Sequence, residues 1–311
     1  MPPLVGGLAA GLESPGWLRQ SVSKTPHRGL RCAKAFRVVD NQAFFRLISD
    51  PGILFVKSRM EKGKMMKKTG KDYIVFPLDV PSMKEAQSLV SVLGPHVGMF
   101  KIGLELFICE GPSVVKMIRD LSAAGIFLDL KLHDISATVF RAMARVADLA
   151  VDLVTVHTCS SKKMLEMAVQ GGQGNVGVLG VTLLTDNDEE TLAYGGFSDQ
   201  FSADPMKLVM LRAQLAHDAG CRGVVCSGRE AADIKARFGT EFLAVTPGIR
   251  PAWSLTPKDD QKRITTPAQA IARGSDLLVI GRPIRDAQDP AAAARKVIHE
   301  IESALENKPS V

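Results

Sequence analysis

The sequence predicts a (β/α)₈ barrel that follows a poorly ordered N-terminal extension. From Tyr73 onward, short β-branched and apolar runs alternate with amphipathic stretches of helical length. This alternation is typical of a parallel sheet covered by helices. Residues 71–311 contain eight such units, close to the roughly 250 residues of an eight-stranded barrel. An open doubly wound sheet is the alternative, but the even spacing of the units favours closure. No GxGxxG motif opens the first helix, so a dinucleotide fold has little support.

The predicted strands are short and recur at regular intervals. They are residues 73–80, 99–106, 126–132, 153–158, 176–184, 223–227, 242–249 and 277–281. Helices are predicted between them, among them residues 81–93, 112–125, 137–150 and 204–220. Gly125 and Gly220 end two of these stretches, where glycine is the expected C-cap residue.

The first 70 residues differ from the rest in charge. Residues 1–70 contain 13 Lys and Arg against 4 Asp and Glu, whereas residues 71–311 contain 26 against 29. The net charge of +6 therefore belongs to the extension, which argues against a nucleic-acid-binding surface on the folded body. We expect residues 1–70 to be poorly ordered. Three explanations stay open: sequence upstream of a true start at Met60, Met65 or Met66, a targeting segment, or an artificial addition to the natural chain.

Other sequence features indicate a cytoplasmic protein without a membrane anchor. No apolar run approaches the roughly 18 residues of a transmembrane helix. The five cysteines (Cys32, Cys109, Cys159, Cys221 and Cys226) form no CxxC pair and no metal-ligand spacing. We expect them to be small buried side chains in a reducing compartment.

Charged residues interrupt the third predicted strand, FLDLKLHDI, which spans residues 127–135. Because strand side chains alternate between faces, Asp129, Lys131 and His133 share the face of Phe127, and the leucines share the other. Asp129 and Lys131 are therefore predicted to point into the barrel near its C-terminal end, where barrel enzymes place their active sites. A structural ion pair at the barrel mouth is the alternative.

Further charged residues stand near the ends of neighbouring strands. Asp79 ends the first predicted strand, Lys101 lies in the second, and His157 lies at the end of the fourth. Together with Asp129 and Lys131 they predict a site around one mouth. His133 and His157 are more simply read as ordinary polar side chains, and no third ligand at suitable spacing supports a metal site.

The last two strand ends predict a phosphate site. TPGIRP (246–251) follows the seventh strand and IGRPI (280–284) follows the eighth, which is the usual phosphate-binding position of this fold. Gly248 and Gly281 allow backbone N–H groups to approach an anion, while Arg250 and Arg282 can donate forked hydrogen bonds. A phosphorylated substrate is implied.

These motifs resemble those of the orotidine 5′-phosphate decarboxylase family. DLKLHD (129–134) is similar to the family's Asp-x-Lys-x-x-Asp motif, and VVCSGREA, VTPGIRP, DQKRITTPAQA and VIGRPI follow in the family's order. The resemblance covers residues 71–311 and none of residues 1–70. It implies a homodimer that converts orotidine 5′-monophosphate to uridine 5′-monophosphate without cofactor or metal.

The resemblance also implies a role for individual residues. Lys101, Asp129, Lys131 and Asp134 would form the alternating charge network, with Lys131 as the proton donor. Asp134 and Thr138 would reach the neighbouring subunit's site. The remaining implied substrate contacts are Asp79 and Lys101 to the ribose, Thr185 to the pyrimidine, and Arg250, Gln261, Gly281 and Arg282 to the phosphate.

Two rival functions remain open from sequence alone. Magnesium-dependent sugar-phosphate decarboxylases and aldolases share the barrel and the first motif, but their phosphate loops differ from TPGIRP with DQKR. A catalytically silent barrel that senses a nucleotide phosphate is the second rival. It would be expected to lack Asp129 or Lys131, and both are present.

Overall fold

Eight parallel strands form a closed barrel in a computed structural model that describes residues 68–255 and 265–307. Each strand pairs with the next along the chain, and the eighth returns to the first. The predicted (β/α)₈ architecture is therefore confirmed. The strands are β1 (Ile74–Pro77), β2 (Met99–Ile102), β3 (Gly125–Leu132), β4 (Leu153–His157), β5 (Gly177–Val181), β6 (Gly223–Val225), β7 (Leu243–Thr246) and β8 (Leu277–Val279).

Helices cover the outside of the barrel, and several start at side chains that cap the first turn. Ser82, Ser161 and Asp188 each accept a hydrogen bond from a backbone N–H three residues later, as N-cap residues do. The helices are α1 (Met83–Leu93), α2 (Leu104–Glu110), α3 (Ser113–Leu121), α4 (Ser136–Asp148), α5 (Lys162–Gly171), α6 (Glu189–Tyr194), α7 (Asp199–Ser202), α8 (Pro205–Asp218), α9 (Ala231–Phe238), α10 (Pro267–Ala272), α11 (Arg282–Arg285) and α12 (Pro290–Glu306). Short 3₁₀ helices are formed by Gly70–Tyr73, Gly94–His96 and Ala252–Ser254.

The barrel has two apolar layers. The lower interior is filled by one buried side chain from each of six strands, and a larger cluster packs the outer strand faces against the helices. The interior residues are Val75, Phe127, Leu153, Leu179, Val245 and Leu277. Met99 of β2 packs against this cluster from a partly buried position. Since strand side chains alternate, the residues two positions beyond Met99, Phe127 and Leu153 face the same interior, nearer the C-terminal rim. The fold thus directs Lys101, Asp129 and Thr155 into the upper barrel.

The second strand is shorter than predicted. It ends at Ile102 rather than residue 106, and Leu104–Glu110 forms α2. Gly103 is the N-cap of this helix, so the apolar run changes from strand to helix at the glycine. Some of the other predicted strands also extended too far at their C-terminal ends, because the chain leaves the barrel there to form rim loops. The rest matched within one residue.

The prediction for Gly125 was wrong, whereas that for Gly220 is confirmed. Helix α3 ends at Leu121 with Ser122 as its C-cap, and Gly125 is the first residue of β3. A Cβ at position 125 would lie 2.9 Å from Met99 Cε, so the glycine permits close packing between strands. Gly220 follows α8 with a φ of 80°, a left-handed conformation that glycine adopts without strain.

The C-terminal helix contacts the start of the described chain. Gly70 is buried, and its N–H donates to Glu302 Oε1 of α12 at 3.1 Å. A Cβ at position 70 would lie 2.7 Å from the carbonyl oxygen of Ile298, so only glycine fits. Gly70 therefore packs the start of the described residues closely against the last helix. No helix among residues 68–255 and 265–307 combines the length and the apolar character needed to span a bilayer.

The prediction of buried cysteines was correct for two positions and wrong for two others. Cys221 and Cys226 are buried, and burial raises the pKa of the Cys221 thiol to about 12. Cys109 and Cys159 are exposed, because one lies on the outer face of α2 and the other in the loop after β4. Cys32 lies outside the described residues.

Candidate active site

Four of the predicted residues form one continuous ion network at the C-terminal rim. Lys131 Nζ lies 2.9 Å from Asp129 Oδ1, and Lys101 Nζ lies 3.3 Å from Asp129 Oδ2. Lys101 Nζ also lies 3.3 Å from Asp79 Oδ1. The charges therefore alternate in the order Asp79, Lys101, Asp129 and Lys131, and they surround one mouth as the strand-end pattern predicted. The alternating network implied by the resemblance has Asp134 in place of Asp79.

The network is most buried at its centre. The side chains of Lys101 and Asp129 are 11% and 12% exposed, whereas those of Lys131 and Asp79 are 30% and 53% exposed. Burial by itself raises the pKa of Asp129, but the charges of Lys101 and Lys131 and the hydrogen bonds from Lys131 and Thr155 together lower it below its usual value. Asp129 is thus an anion held between two cations, and Lys131 presents its ammonium to the open end of the barrel.

A bulge in β3 orients Lys131. Leu128 pairs with Val154 and Leu132 pairs with Val156, so four steps along β3 match only two along β4. Lys131 has a φ of 48°, in the left-handed region that a residue with a long side chain seldom adopts. Bulges are frequent beside active sites, where they redirect a side chain.

The exposed end of the network, Asp79 in the loop after β1, is held by α11, the helix that follows β8. Arg285 Nη1 donates to the backbone oxygen of Asp79 at 3.0 Å, although the two residues lie 206 positions apart. A Cβ at position 103 would lie 3.2 Å from Asp79 Oδ1 and 3.4 Å from Lys101 Nζ. Arg285 and Gly103 were not identified from sequence, since nothing local indicates their proximity to Asp79.

Two histidines and a cysteine lie beside the network. The rings of His133 and His157 are 5.8 Å apart, and His133 Nε2 lies 3.8 Å from Cys159 Sγ. Burial, His133 and Lys131 lower the pKa of His157, so its neutral form is favoured at neutral pH. Within the part of the chain that the structure describes, no three His, Cys, Asp or Glu side chains are grouped as a metal ion requires.

The predicted phosphate residues lie in the loops after β7 and β8. Arg250 is 6% exposed, and its backbone N–H donates to the Thr265 oxygen at 3.0 Å. Gly248 has a φ of 74°, and a Cβ at Gly281 would lie 2.9 Å from Pro77 Cγ. The left-handed backbone at position 248 and the close approach of Pro77 at position 281 therefore both favour glycine.

Arg282 is the first residue of α11 and is half-buried at the barrel rim. The structure thus places Arg250, Gly281 and Arg282 on the β7–β8 side of the rim, as predicted. Gln261 lies outside the described residues.

Three other predicted residues are not part of the ion network. Asp134 is exposed, and its carboxylate accepts a hydrogen bond from the Ile135 N–H at 2.6 Å. Thr138 lies in the first turn of α4, and Thr185 is half-buried in the turn after β5. Ile135, between the first two, is 72% exposed.

The fold and this rim define an α/β barrel with a buried lysine–aspartate network on one side and arginine–glycine loops on the other. Residues 72–297 match the model of the Orotidine 5'-phosphate decarboxylase / HUMPS family, and the chain belongs to that family.

Individual relatives agree with this assignment. The chain is 50% identical over 236 residues to orotidine 5'-phosphate decarboxylase from Desulfosudis oleivorans, covering 76% of this chain and 95% of that protein. It is 43% identical to the protein of the same name from an Anaeromyxobacter species, covering 71% and 94% of the two chains. The crystal structure of orotidine 5'-phosphate decarboxylase from Lactobacillus acidophilus is 32% identical with a TM-score of 0.64, covering 73% of this chain and 98% of that one.

Proposed function

We propose that this protein decarboxylates orotidine 5′-monophosphate to uridine 5′-monophosphate, the last step of UMP biosynthesis. The observation that carries the proposal is the unbroken network of Asp79, Lys101, Asp129 and Lys131 at the C-terminal rim. Family membership and the names of relatives up to 50% identical give independent support.

Lys131 is proposed to stabilise and protonate the reacting carbon. Loss of CO₂ breaks the bond between C6 of the pyrimidine and its carboxylate, and the electron pair stays on C6 as a carbanion. An ammonium fixed in place next to C6 stabilises this charge without reorganisation and then donates a proton to C6. The resulting neutral amine recovers its proton from solvent.

Asp129 is proposed to keep Lys131 charged and in position. Its carboxylate contacts the Lys131 ammonium at 2.9 and 3.0 Å, which favours the protonated lysine and fixes its direction. Its negative charge would also lie near the departing carboxylate, which would destabilise the bound substrate relative to the transition state. Lys101 offsets the cost of burying Asp129.

Groups distant from C6 are proposed to supply binding energy. Arg250, Gln261, Gly281 and Arg282 would bind the phosphate, Asp79 and Lys101 the ribose hydroxyls, and Thr185 the pyrimidine. Binding energy from such remote groups can be used to hold the reacting carbon against Lys131.

The active unit is proposed to be a cytoplasmic homodimer in which Asp134 and Thr138 enter the neighbouring subunit's site. The exposure of Asp134 and of the apolar Ile135 supports this arrangement. Mixing the inactive variants Lys131→Ala and Asp134→Ala after unfolding and refolding tests it. Random reassociation should recover about a quarter of wild-type activity, because half of the dimers then contain one intact shared site. No recovery despite dimer formation would refute the shared site.

The reaction itself is tested with wild-type protein treated with EDTA. Loss of orotidine 5′-monophosphate absorbance, with uridine 5′-monophosphate and CO₂ as products, is the expected result. Hexulose phosphate and ketogulonate phosphate with added Mg²⁺ serve as the comparison, because the metal-dependent relatives act on these substrates. Turnover of either sugar phosphate, and none of the nucleotide, would overturn the proposal.

A further inference from the structure

Thr155 lies in the middle of β4 and faces the barrel interior. Its neighbour two positions earlier, Leu153, belongs to the interior apolar cluster, and His157 follows two positions later at the rim. The Thr155 side chain is fully buried. A buried hydroxyl at this position needs hydrogen-bond partners.

Both partners of Thr155 belong to the ion network. Its Oγ1 accepts a hydrogen bond from the Lys131 N–H at 2.8 Å and donates to Asp129 Oδ1 at 2.9 Å. The direction is determined by chemistry, because a backbone N–H can only donate and an ionised carboxylate can only accept. One hydroxyl therefore connects the backbone of Lys131 to the carboxylate that its own ammonium contacts.

The contact lies at the irregular part of β3. Between Leu128 and Leu132 the ladder to β4 is interrupted, and Lys131 has its left-handed φ of 48° there. Thr155 provides the Lys131 N–H with a side-chain acceptor inside this interruption. A buried N–H without such an acceptor would favour a different backbone conformation.

We propose that Thr155 is a positioning residue that fixes Lys131 and Asp129 relative to each other for catalysis. Its acceptor side holds the bulged backbone that carries Lys131, and its donor side holds the carboxylate that directs the Lys131 ammonium. The inference rests on the proposed decarboxylation and assigns a role to a residue that the sequence motifs did not include.

Three substitutions at position 155 test this role. Thr155→Val keeps the β-branched shape and removes both hydrogen bonds, Thr155→Ser keeps the hydroxyl, and Thr155→Cys leaves a weaker donor and acceptor. We expect Thr155→Val to lower kcat about a hundredfold, because a catalytic group that is misplaced by a small distance loses about this factor. KM should change much less. Thr155→Ser should stay within a few-fold of wild type, and Thr155→Cys should fall between them.

Thr158→Val is the matched control. Thr158 is also buried, just beyond β4, but its hydroxyl donates to the Val181 oxygen rather than to a residue of the ion network. We expect this variant to keep wild-type kcat at a somewhat reduced melting temperature. A loss of kcat similar to that of Thr155→Val would assign the effect to general packing and overturn the inference.

A second readout does not depend on turnover. Because the Thr155 hydrogen bond is one of the causes that lower the pKa of Asp129, the Asp129 carboxyl should titrate at higher pH in Thr155→Val than in wild type. Carboxyl ¹³C NMR measures this directly, and Thr158→Val should leave the titration unchanged.

The two readouts separate the two hypotheses. A wild-type protein without decarboxylase activity refutes the proposed function. An Asp129 titration that is the same in Thr155→Val as in wild type refutes the hydrogen bond between Thr155 and Asp129. If wild type is active and Thr155→Val keeps wild-type kcat, Thr155 has no positioning role, whatever the Asp129 titration of the variant. If Thr155→Val does not fold, an intermediate kcat in folded Thr155→Cys supports the role, and wild-type kcat in that variant contradicts it.

Discussion

The two sides of the barrel rim differ in their chemistry. On the β1–β4 side, charged side chains on the strands contact each other within 3.3 Å, from Asp79 to Lys131. On the β7–β8 side, glycines would bring the backbone close to the proposed phosphate, and Arg250 and Arg282 would supply the charge. The first arrangement fixes a few atoms accurately, as bond breaking requires. The second surrounds an anion, as phosphate binding requires.

The comparison predicts that substitutions on the two sides affect different kinetic constants. Changes at Asp129 and Lys131 on the β1–β4 side should lower kcat with little effect on product affinity. Changes on the β7–β8 side should weaken binding of the nucleotide far more than binding of the nucleoside.

The largest effect among these substitutions is expected for Asp129→Asn. Removing the central anion takes away the carboxylate that Lys101 and Lys131 share and leaves Asp79 as the partner of Lys101, so kcat should fall about a thousandfold, the upper range for loss of one preorganised electrostatic group. Steady-state kinetics with the nucleotide measures this loss. Asp120→Asn is the control, since Asp120 forms an exposed pair with Lys116. A loss of less than tenfold would show that the network is a structural feature of the rim.

Arg282→Ala should lower kcat/KM for the nucleotide about a hundredfold, because truncating one member of a charge-assisted pair typically costs 2–5 kcal/mol. Activity on orotidine, which lacks the phosphate, should change little. Arg295→Ala, which removes a surface arginine of α12, should leave both substrates unaffected. Equal losses with nucleotide and nucleoside would contradict a phosphate-binding role for this side of the rim.

Lowering the pH should show how much the ionised Asp129, held by Lys101 and Lys131, contributes to the free energy of unfolding. The pKa of Asp129 is lower in the folded chain than in the unfolded chain, so its contribution is complete above about pH 4 and is lost as the pH falls through the folded value. Urea unfolding from pH 5 downward should therefore show a steeper loss of unfolding free energy for wild type than for Asp129→Asn. Parallel curves for the two proteins would indicate that the folded structure does not favour the ionised form.

The smallest effect is expected for Arg285→Gln. This change weakens the hydrogen bond that holds the Asp79 backbone, so KM should rise about three- to tenfold, as expected for one hydrogen bond of about 1 kcal/mol. Arg145→Gln, at an exposed arginine of α4, serves as the control. An unchanged KM would mean that β1 holds Asp79 without help from the β8 side.

Strand alternation predicted much of the fold and the ion network. Hydrophobic runs identified all eight strands, and alternation along β3 placed Asp129 and Lys131 together. These features depend on local sequence, which is why they could be read directly. The end of β2 was missed because Gly103 separates two apolar runs that differ in structure but not in composition.

Contacts between distant strands could not be predicted. The bulge at Lys131 depends on the register between β3 and β4, and the contact between Arg285 and Asp79 depends on barrel closure. Thr155 gave no signal of its own, because a threonine in a buried strand is also expected from β-propensity alone. The two exposed cysteines were missed because exposure of a loop or helix face is a property of the packed chain.

The most direct test of the proposed mechanism measures two quantities for Lys131→Ala and wild type in EDTA: kcat and the affinity for uridine 5′-monophosphate. Lys131 is assigned to the transition state rather than to general binding, so kcat should fall at least about ten-thousandfold while product affinity stays within about fivefold. Lys116→Ala, at an exposed lysine of α3, should match wild type in both measurements. If Lys131→Ala keeps more than about a tenth of wild-type kcat, Lys131 is not the proton donor and the proposed mechanism is wrong.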